Sequence, residues 1–190
     1  MGPVAGTAEV LKLTIRPATP EEAPLVHSVM LDAFEEYRGL AAPSGALRES
    51  LEYVEGLLRE GVEQAALCLV DEVAAGSVRF LHSGDGLYFK RLAVRPGFRG
   101  RGVAKAIVGW LEEYARQNGE SVIWCNVRSE VPRNVRLYAS LGYEAYDERV
   151  IAKPDGAQVP VVSMRKVLKP EAEAGPLPTG RVDPGEAAGR

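Results

Sequence analysis

A glycine- and arginine-rich segment at residues 95–105 (RPGFRGRGVAK) narrows the possible folds more than any other part of the sequence. It lies between a β-rich run at 87–94 and a helical pattern of apolar residues that extends to about Tyr114. Glycines let backbone N–H groups approach a ligand, a helix N-terminus carries partial positive charge, and Arg99 and Arg101 add full charges. The segment predicts an anion site for a phosphate or pyrophosphate, with a plain glycine-rich turn as the alternative.

The residues before this segment predict one strand, two helices and a three-stranded meander. Residues 11–16 alternate apolar and polar side chains, and the TPEE sequence at 19–22 combines an N-cap, a proline and a capping-box glutamate. We expect a helix from there to about residue 37, and a second helix whose apolar stripe comprises Leu47, Leu51, Val54 and Leu58. Three β-rich runs then follow one another closely, at 65–71, 73–81 and 87–94.

The residues after the glycine-rich segment complete a mixed α/β fold. Its apolar-faced helix ends near Gly119. The remaining elements are a strand at 121–127, a short helix at 132–140 and two final strands at about 143–151 and 159–167. We expect a folded domain over 11–168, a flexible N-terminus over 1–10 and a disordered tail over 169–190, whose only larger apolar residues are Leu177 and Val182.

Composition excludes several classes of protein. The chain has 190 residues, 46% of them hydrophobic and 26% charged, which suffices for a core without disulfides or a structural metal. Cys68 and Cys125 each lie in an apolar run, so we expect reduced core residues of a cytoplasmic protein, with a disulfide between buried strands as the alternative. No stretch approaches a membrane span, no signal peptide is recognisable, and a net charge of -3 disfavours a nucleic-acid-binding surface.

Three known phosphate or nucleic-acid motifs do not fit the segment. A Walker A loop needs Gly-Lys followed by Ser or Thr, whereas here Gly102 is followed by Val103, Ala104 and Lys105. A dinucleotide motif that started at Gly100 would end on Lys105, and the preceding runs indicate a meander. A single RGRG sequence followed at once by a helix is not a disordered arginine-glycine segment.

The segment resembles the signature of the GNAT superfamily of acetyl-CoA-dependent N-acyltransferases. That signature, Gln/Arg-x-x-Gly-x-Gly/Ala, reads here Arg99-Gly100-Arg101-Gly102-Val103-Ala104, and Leu92-Ala93-Val94 precedes it as in the family. The run NVRLYASLGY at 134–143 is similar to a second family feature, LYxxLGF/Y. The resemblance covers about residues 11–167 and implies a GNAT-type fold, a mostly antiparallel twisted sheet of about seven strands, flanked by four helices and splayed between strands 4 and 5.

The resemblance implies acetyl-CoA as co-substrate and no metal. Backbone groups of Leu92, Ala93 and Val94 would pair with the pantetheine arm, and backbone N–H groups from Arg99 to Ala104, with Lys105, would hold the pyrophosphate. Asn134 would face the cofactor, with a simple capping role as the alternative. Tyr138 would protonate the departing thiolate, with packing beneath the sheet as the alternative.

The sequence departs from the family where a general base is often found. The two positions that carry a glutamate in some members are Tyr88 and Asn126 here, so neither supplies a carboxylate. Val131 replaces an asparagine that often contacts the cofactor. These departures keep open a non-catalytic acyl-CoA-binding module on the same fold, besides an acyltransferase that uses a longer acyl group.

The resemblance places the acceptor between the loops at about 37–47 and 151–159. Glu35, Glu36 and Tyr37 are candidates to recognise an ammonium group, although solvent-facing or core roles are the simpler interpretation. No acidic run suggests a groove for basic peptides, so a small-molecule amine is slightly favoured over a protein amine. Related folds suggest a homodimer. His27 and His82 have no spacing partner for a metal or a triad.

Overall fold

The computed structural model describes residues 12–168. The flexible N-terminus expected over 1–10 and the disordered tail expected over 169–190 lie outside the described residues.

The described chain forms one seven-stranded sheet with helices on both faces. Its strands are β1 (Leu13–Pro17), β2 (Gln64–Val70), β3 (Val73–Ser83), β4 (Gly86–Val94), β5 (Val122–Arg128), β6 (Glu144–Ala152) and β7 (Gln158–Val167). Its helices are α1 (Ala23–Phe34), α2 (Leu51–Arg59), α3 (Val103–Gln117) and α4 (Pro132–Ser140). The strand order is β1-β2-β3-β4-β5-β7-β6, and each neighbouring pair is antiparallel except β4 and β5. The predicted fold class, strand number and helix number are confirmed.

The parallel pair β4 and β5 opens after two rungs. Leu87 pairs with Ile123 and Tyr88 with Trp124, and the ladder ends there. Gly86 permits this close start, because its φ is 118° and a Cβ atom would lie 2.3 Å from the carbonyl oxygen of Val122. Beyond Tyr88 the two strands separate, as predicted, and leave a wedge in the middle of the sheet.

Two apolar layers hold the helices on the sheet. Helix α3 packs on one face, where Ile107 and Leu111 join Phe80 and Phe89 in the largest cluster. On the other face Val26 of α1 and Val54 and Leu58 of α2 pack against Ala65 and Leu67 of β2. Because successive side chains of β2 point to opposite faces of the sheet, they pack alternately into the two layers.

Both cysteines are free and buried, as predicted. Cys68 and Cys125 belong to the cluster beneath α3. Burial raises the pKa of the Cys68 thiol to about 11 and raises that of Cys125 further. Each thiol is therefore protonated at neutral pH and packs as a small apolar group.

The boundaries of the first two helices differ from the prediction. The segment predicted as the first helix forms three elements instead: a 3-10 turn at Pro20–Glu22, helix α1 and a further 3-10 turn at Glu35–Tyr37. Leu47 belongs to a separate 3-10 turn at Gly45–Arg48, so its placement on the second helix was wrong. Helix α2 starts after Ser50, whose hydroxyl accepts a hydrogen bond from the N–H of Tyr53 at 3.1 Å.

Candidate active site

A cleft of about 730 Å³ lies where β4 and β5 separate. One wall is the second half of β4 with the loop that leads into α3, and the other is β5 with α4. The loop before α2 and the connection between β6 and β7 close one end, through residues such as Ser44 and Lys153. The cleft therefore runs from the N-terminus of α3 to these two loops.

The loop before α3 is shaped by two left-handed glycines. Gly100 has a φ of 74° and Gly102, the N-cap of α3, a φ of 78°. The first bond of the helix runs from the N–H of Ala106 to the carbonyl of Gly102 at 3.0 Å. The N–H groups of Val103, Ala104 and Lys105 precede that bond, so they have no partner inside the helix. This arrangement suits an anion, because free N–H groups and the helix dipole point to one place.

A bulge in β4 turns its end toward the cleft. Between Ser77 and Arg79 of β3 the register with β4 shifts, and Arg91 has a left-handed φ of 55°. Leu92 and Val94 line the cleft, whereas the Ala93 side chain packs under α1. Since β3 pairs with one edge of β4 and the β5 ladder ends at Tyr88, the other edge of residues 92–94 opens onto the cleft.

Tyr138 lies in the opposite wall, within the apolar layer beneath the sheet. Its side chain is buried, and its ring centroid is 5.7 Å from that of Phe89 and 5.8 Å from that of Tyr143. Burial, with smaller effects from Cys125 and Tyr37, holds the pKa of Tyr138 well above its ordinary value. The phenol is therefore a protonated hydrogen-bond donor at neutral pH.

Ten of the twelve predicted site residues line this one cleft: Leu92, Val94, Arg99, Gly100, Gly102, Val103, Ala104, Lys105, Asn134 and Tyr138. The side chains of Ala93 and Arg101 lie elsewhere. Ala93 is buried, and the exposed Arg101 guanidinium lies 5.6 Å from the centroid of the Phe98 ring. Both were predicted to act through backbone groups, so their side-chain positions do not bear on that role.

The groups suggested for ammonium recognition are bound to other side chains. Glu35 binds Arg38, with a shortest distance of 2.6 Å. Glu36 forms ion pairs with Arg99, at 3.2 Å, and with Arg133. The hydrogen bond to Glu36 is the main cause of a raised pKa of Arg133. These contacts do not support the ammonium interpretation of Glu35 and Glu36.

Tyr37 forms a bridge between the end of α1 and the start of α4. Its hydroxyl accepts hydrogen bonds from Arg133 Nη2 at 3.1 Å and from Asn134 Nδ2 at 3.3 Å. Tyr37 and Asn134 both line the cleft. Asn134 is thus tied to the opposite wall rather than acting only within its own helix.

The deep end of the cleft is polar and carries no carboxylate. Burial raises the pKa of Tyr88, although a hydrogen bond with Asn126 opposes part of that rise. The Asn126 Oδ1 atom accepts a hydrogen bond from Ser163 at 2.7 Å. Among the described residues that line the cleft, Glu36 is the sole carboxylate, and it is held by two arginines at the other end.

A buried charge network beneath the β4 bulge was not foreseen from the sequence. Arg79 is 1% exposed, and its Nη2 lies 2.5 Å from Glu49 Oε2. Glu49 also accepts from Arg91 Nη2 at 2.6 Å, while Glu63 binds Lys90 and approaches Arg79 Nε at 3.3 Å. No spacing rule links these five positions, because the sheet and the loop before α2 bring them together.

Neither histidine nor any acidic group forms a metal site in the described part of the chain. Residues 12–168 contain no group of three His, Cys, Asp or Glu side chains that would hold an ion. His27 Nε2 lies 2.7 Å from the carbonyl oxygen of Glu49, and His82 Nδ1 lies 2.7 Å from Glu120. Over the same residues, no helix combines the length and the apolar character needed to cross a bilayer.

A family match identifies the class of protein to which the chain belongs. The sequence model of the acetyltransferase (GNAT) family matches residues 29–143, which is more than half of the 190-residue chain. The chain therefore belongs to the GNAT acetyltransferase family.

The chain resembles known proteins both in sequence and in three-dimensional structure. A Lactobacillus delbrueckii subsp. lactis protein, described as an uncharacterized N-acetyltransferase in the pepI 3' region, is 31% identical over 74 residues. Those residues are 39% of this chain and 43% of that protein, so the match spans less than half of this curated relative.

Two solved structures share the fold. The GCN5-related N-acetyltransferase from Rhodopseudomonas palustris has a TM-score of 0.68 and 18% identity, over 83% of this chain and 96% of that one. The Salmonella typhimurium acetyltransferase yncA, solved with its cofactor acetyl-CoA, has a TM-score of 0.62 and 19% identity, over 83% and 94% of the two chains.

Proposed function

We propose that this protein is an N-acetyltransferase that transfers the acetyl group of acetyl-CoA directly to the primary amine of a bound acceptor, with a small molecule favoured over a protein. The observation that carries the proposal is the shared cleft. It joins the open edge of β4, the free N–H groups at the start of α3 and the protonated phenol of Tyr138.

The loop before α3 fits the pyrophosphate of acetyl-CoA. No atom lies within 4 Å of the position that a Cβ atom would take at Gly100 or Gly102, so a ligand can approach the backbone there. Arg99 and Lys105 line the same part of the cleft and add positive charge. The edge of β4 at Leu92 to Val94 would accept the pantetheine arm as a further strand would.

The bound thioester supplies an activated acetyl group. The amine nitrogen forms a bond to the carbonyl carbon, the bond from that carbon to sulfur breaks, and the amine loses one proton. A backbone N–H on the open edge of β4 would stabilise the negative charge that develops on the carbonyl oxygen. Tyr138 would donate its proton to the leaving sulfur. Its raised pKa keeps the phenol protonated at neutral pH, and the same shift makes it a weaker acid.

The proton of the amine leaves without a carboxylate base. Tyr88 and Asn126 occupy the two positions at which some family members carry a glutamate, and the raised pKa of Tyr88 keeps its phenol protonated at neutral pH. Water is the remaining acceptor for that proton. The free buried cysteines are consistent with action in a reducing, cytoplasmic compartment.

Calorimetric titration with acetyl-CoA tests the proposal. We expect micromolar binding by the native protein and none by Gly102→Glu. The new carboxylate would occupy the anion site and repel the pyrophosphate, and the new side chain would strain a left-handed backbone position. A matched control is Gly97→Glu, since Gly97 also has open space but no left-handed φ. A thiol-release assay over a panel of amines then tests transfer.

Two outcomes would contradict the proposal. If the native protein does not bind acetyl-CoA, either the signature has lost its function or another ligand fills the cleft. Binding without thiol release from any amine would favour the acyl-CoA-binding module that the missing carboxylates at Tyr88 and Asn126 leave open.

A further inference from the structure

The acceptor end of the cleft carries an excess of positive charge. The described residues that line the whole cleft include seven cationic side chains and one carboxylate, that of Glu36. Arg99 and Arg133 pair with Glu36, and Lys90 and Arg91 pair with Glu63 and Glu49. Lys105 lies at the start of α3, where the pyrophosphate is proposed to bind. The two that remain lie at the acceptor end: Lys153, and Arg128, whose ion-pair partner Glu130 does not line the cleft.

Two buried nitrogens of the Arg128 guanidinium have no hydrogen-bond acceptor within the described part of the protein. Its Nη2 donates to Glu130 at 2.8 Å, but Nε and Nη1 are buried and have no hydrogen-bond partner within residues 12–168. The guanidinium side chain is 17% exposed. Leaving such donors unsatisfied destabilises a folded protein. Among the described residues with unpaired buried polar atoms, Arg128 is the one that lines the cleft, where a ligand can supply the acceptor.

The sheet register places Arg128 on the face that the acceptor loops cover. Arg128 pairs with Val161 of β7, and side chains of paired residues lie on the same face of a sheet. Val161 packs with Val159 and with Ala42 of the loop before α2. Arg128 and Asn126 also lie two residues apart on one strand, so both side chains face the acceptor loops.

Lys153 adds a second positive charge at this place. Its Nζ donates to the carbonyl oxygen of Pro43 at 2.6 Å, which joins the β6–β7 connection to the loop before α2. Within residues 12–168 no carboxylate forms an ion pair with it. Desolvation, followed by the charges of Arg128 and Arg48, lowers its pKa, as expected for a cation among cations.

A third cationic side chain, that of Arg149, extends the positive surface. Its Nη2 lies 3.5 Å from Asn126 Oδ1, and its partner Asp147 is 3.9 Å away, so that ion pair is loose. Arg149 also pairs with Val161 in the sheet, and therefore shares the face of Arg128.

We propose, on the basis of the N-acetyltransferase function above, that the acceptor is a primary amine that also carries an acidic group, and that Arg128 binds the oxygens of that group beside Lys153. The unpaired Nε–H and Nη1–H donors of Arg128 and the ammonium of Lys153 suit the oxygens of a carboxylate or a phosphonate, which only accept hydrogen bonds. A diamine or a lysine-containing peptide would instead bring a second cation against Arg128 and Lys153, and would be repelled.

Matched acceptors test the inference at saturating acetyl-CoA. The thiol-release panel contains the common amino acids, their carboxamides, short aminoalkylphosphonates and linear diamines. We expect turnover with acidic acceptors, and a lower kcat/KM for each carboxamide than for its acid by about 30-fold or more, the effect of removing one partner of a desolvated charge pair. The comparison of carboxylates with phosphonates identifies which oxyanion the site accepts.

Variants of Arg128 assign the effect to this side chain. We expect Arg128→Gln to raise the KM for acidic acceptors by a similar factor of about 30 or more, with little change in kcat, in the KM for acetyl-CoA or in turnover of carboxamides. Arg128→Lys should restore part of the affinity, since it keeps the charge but not the planar arrangement of N–H donors. Arg59→Gln, at an exposed ion pair on α2, is the matched control.

The outcomes separate the inference from the function on which it rests. Diamines or carboxamides that react as well as acidic acceptors would overturn the inference and leave the acetyltransferase proposal intact. A rise in the KM for acetyl-CoA in Arg128→Gln would also overturn it, because Arg128 would then hold the cofactor. A native protein that does not bind acetyl-CoA at all would overturn both. An unchanged Tm of Arg128→Gln excludes misfolding as the cause of lost affinity.

Discussion

At the scale of single residues, burial keeps the phenol of Tyr138, the proposed general acid, protonated. A phenol in water ionises with a pKa near 10, but this one is enclosed by Phe89 and Tyr143 and its pKa is raised well above that value. It can therefore act as a donor across the neutral range. The LYxxLGF/Y pattern identified the residue, whereas its buried surroundings come from the packing of α4 against β4.

We predict that Tyr138→Phe lowers kcat by about 100-fold, the usual contribution of a general acid, without changing the affinity for acetyl-CoA. Steady-state thiol release and calorimetry measure the two quantities. Tyr143→Phe is the control, because Tyr143 packs against Tyr138 and is also buried but lies outside the cleft lining. An unchanged kcat for Tyr138→Phe at saturating substrate would remove Tyr138 from the mechanism.

Glu49 holds the charge network beneath the β4 bulge. Burial acts to raise its pKa, but the attraction of Arg91 and the hydrogen bond from it, with the charges of Arg79 and Lys90, outweigh burial and lower the pKa below 4.5. Removal of the carboxylate would leave Arg79 without its closest partner in a place where it is 1% exposed.

We predict that Glu49→Gln lowers the free energy of unfolding at pH 7 by about 3–5 kcal/mol, the cost of breaking a buried pair. The loss should be largest above pH 4.5 and should shrink as the pH falls through the lowered pKa of the folded state, where the native carboxyl is itself protonated. Urea unfolding at several pH values measures this. Glu55→Gln, at the exposed pair with Arg59, should cost about 0.5 kcal/mol or less.

At the scale of elements, the β2–β3 hairpin was predicted correctly, and its turn has a strained backbone. Two adjacent β-rich runs indicated a tight turn, and the structure has a two-residue turn with φ of 47° at Asp71 and 66° at Glu72. Both residues lie in the left-handed region that favours Gly or Asn in such turns. Asp71 has a compensating role, because its carboxylate accepts from the N–H of Lys12 at 3.0 Å.

We predict that Glu72→Gly stabilises the protein by about 1 kcal/mol, because glycine removes the left-handed penalty of a side chain. Thermal unfolding should show a higher Tm. Glu72→Ala is the matched control, since it removes the same side-chain atoms beyond Cβ but keeps the penalty, and its Tm should stay near the native value. Equal gains from both variants would assign the effect to the lost charge instead.

The 3-10 turn at Gly45–Arg48 shows why a local sequence pattern can fail to predict where the next helix begins. Leu47 has the spacing of an α2 residue, but Glu49 leaves the helical path with a ψ of 119° and turns its carboxylate to Arg79 and Arg91. Ser50 then begins the helix again as an N-cap. A tertiary ion pair thus decides where the helix starts, and periodicity contains no information about it.

At the scale of the whole molecule, the sheet is two halves joined at β4 and β5. Strands β1 to β4 follow one another as neighbours, which local patterns predict well. The second half has the order β5-β7-β6, so β7 lies between two strands that precede it in sequence. The two-rung junction of the halves creates the cleft, and α1, α3, α4 and the two acceptor loops supply its walls.

The fold class, the element order and the proposed anion-binding segment are properties of short stretches of this sequence. Alternation of apolar and polar residues, capping residues and closely spaced glycines act over a few neighbouring positions. Their effects can therefore be predicted from the sequence without knowledge of the fold. The charge network around Glu49 and the cationic pocket of Arg128 and Lys153 depend on residues that are far apart in the chain. Only the tertiary structure brings these groups together. The strength of a charge interaction depends on burial and on the distance between the charges, and neither quantity follows from local sequence.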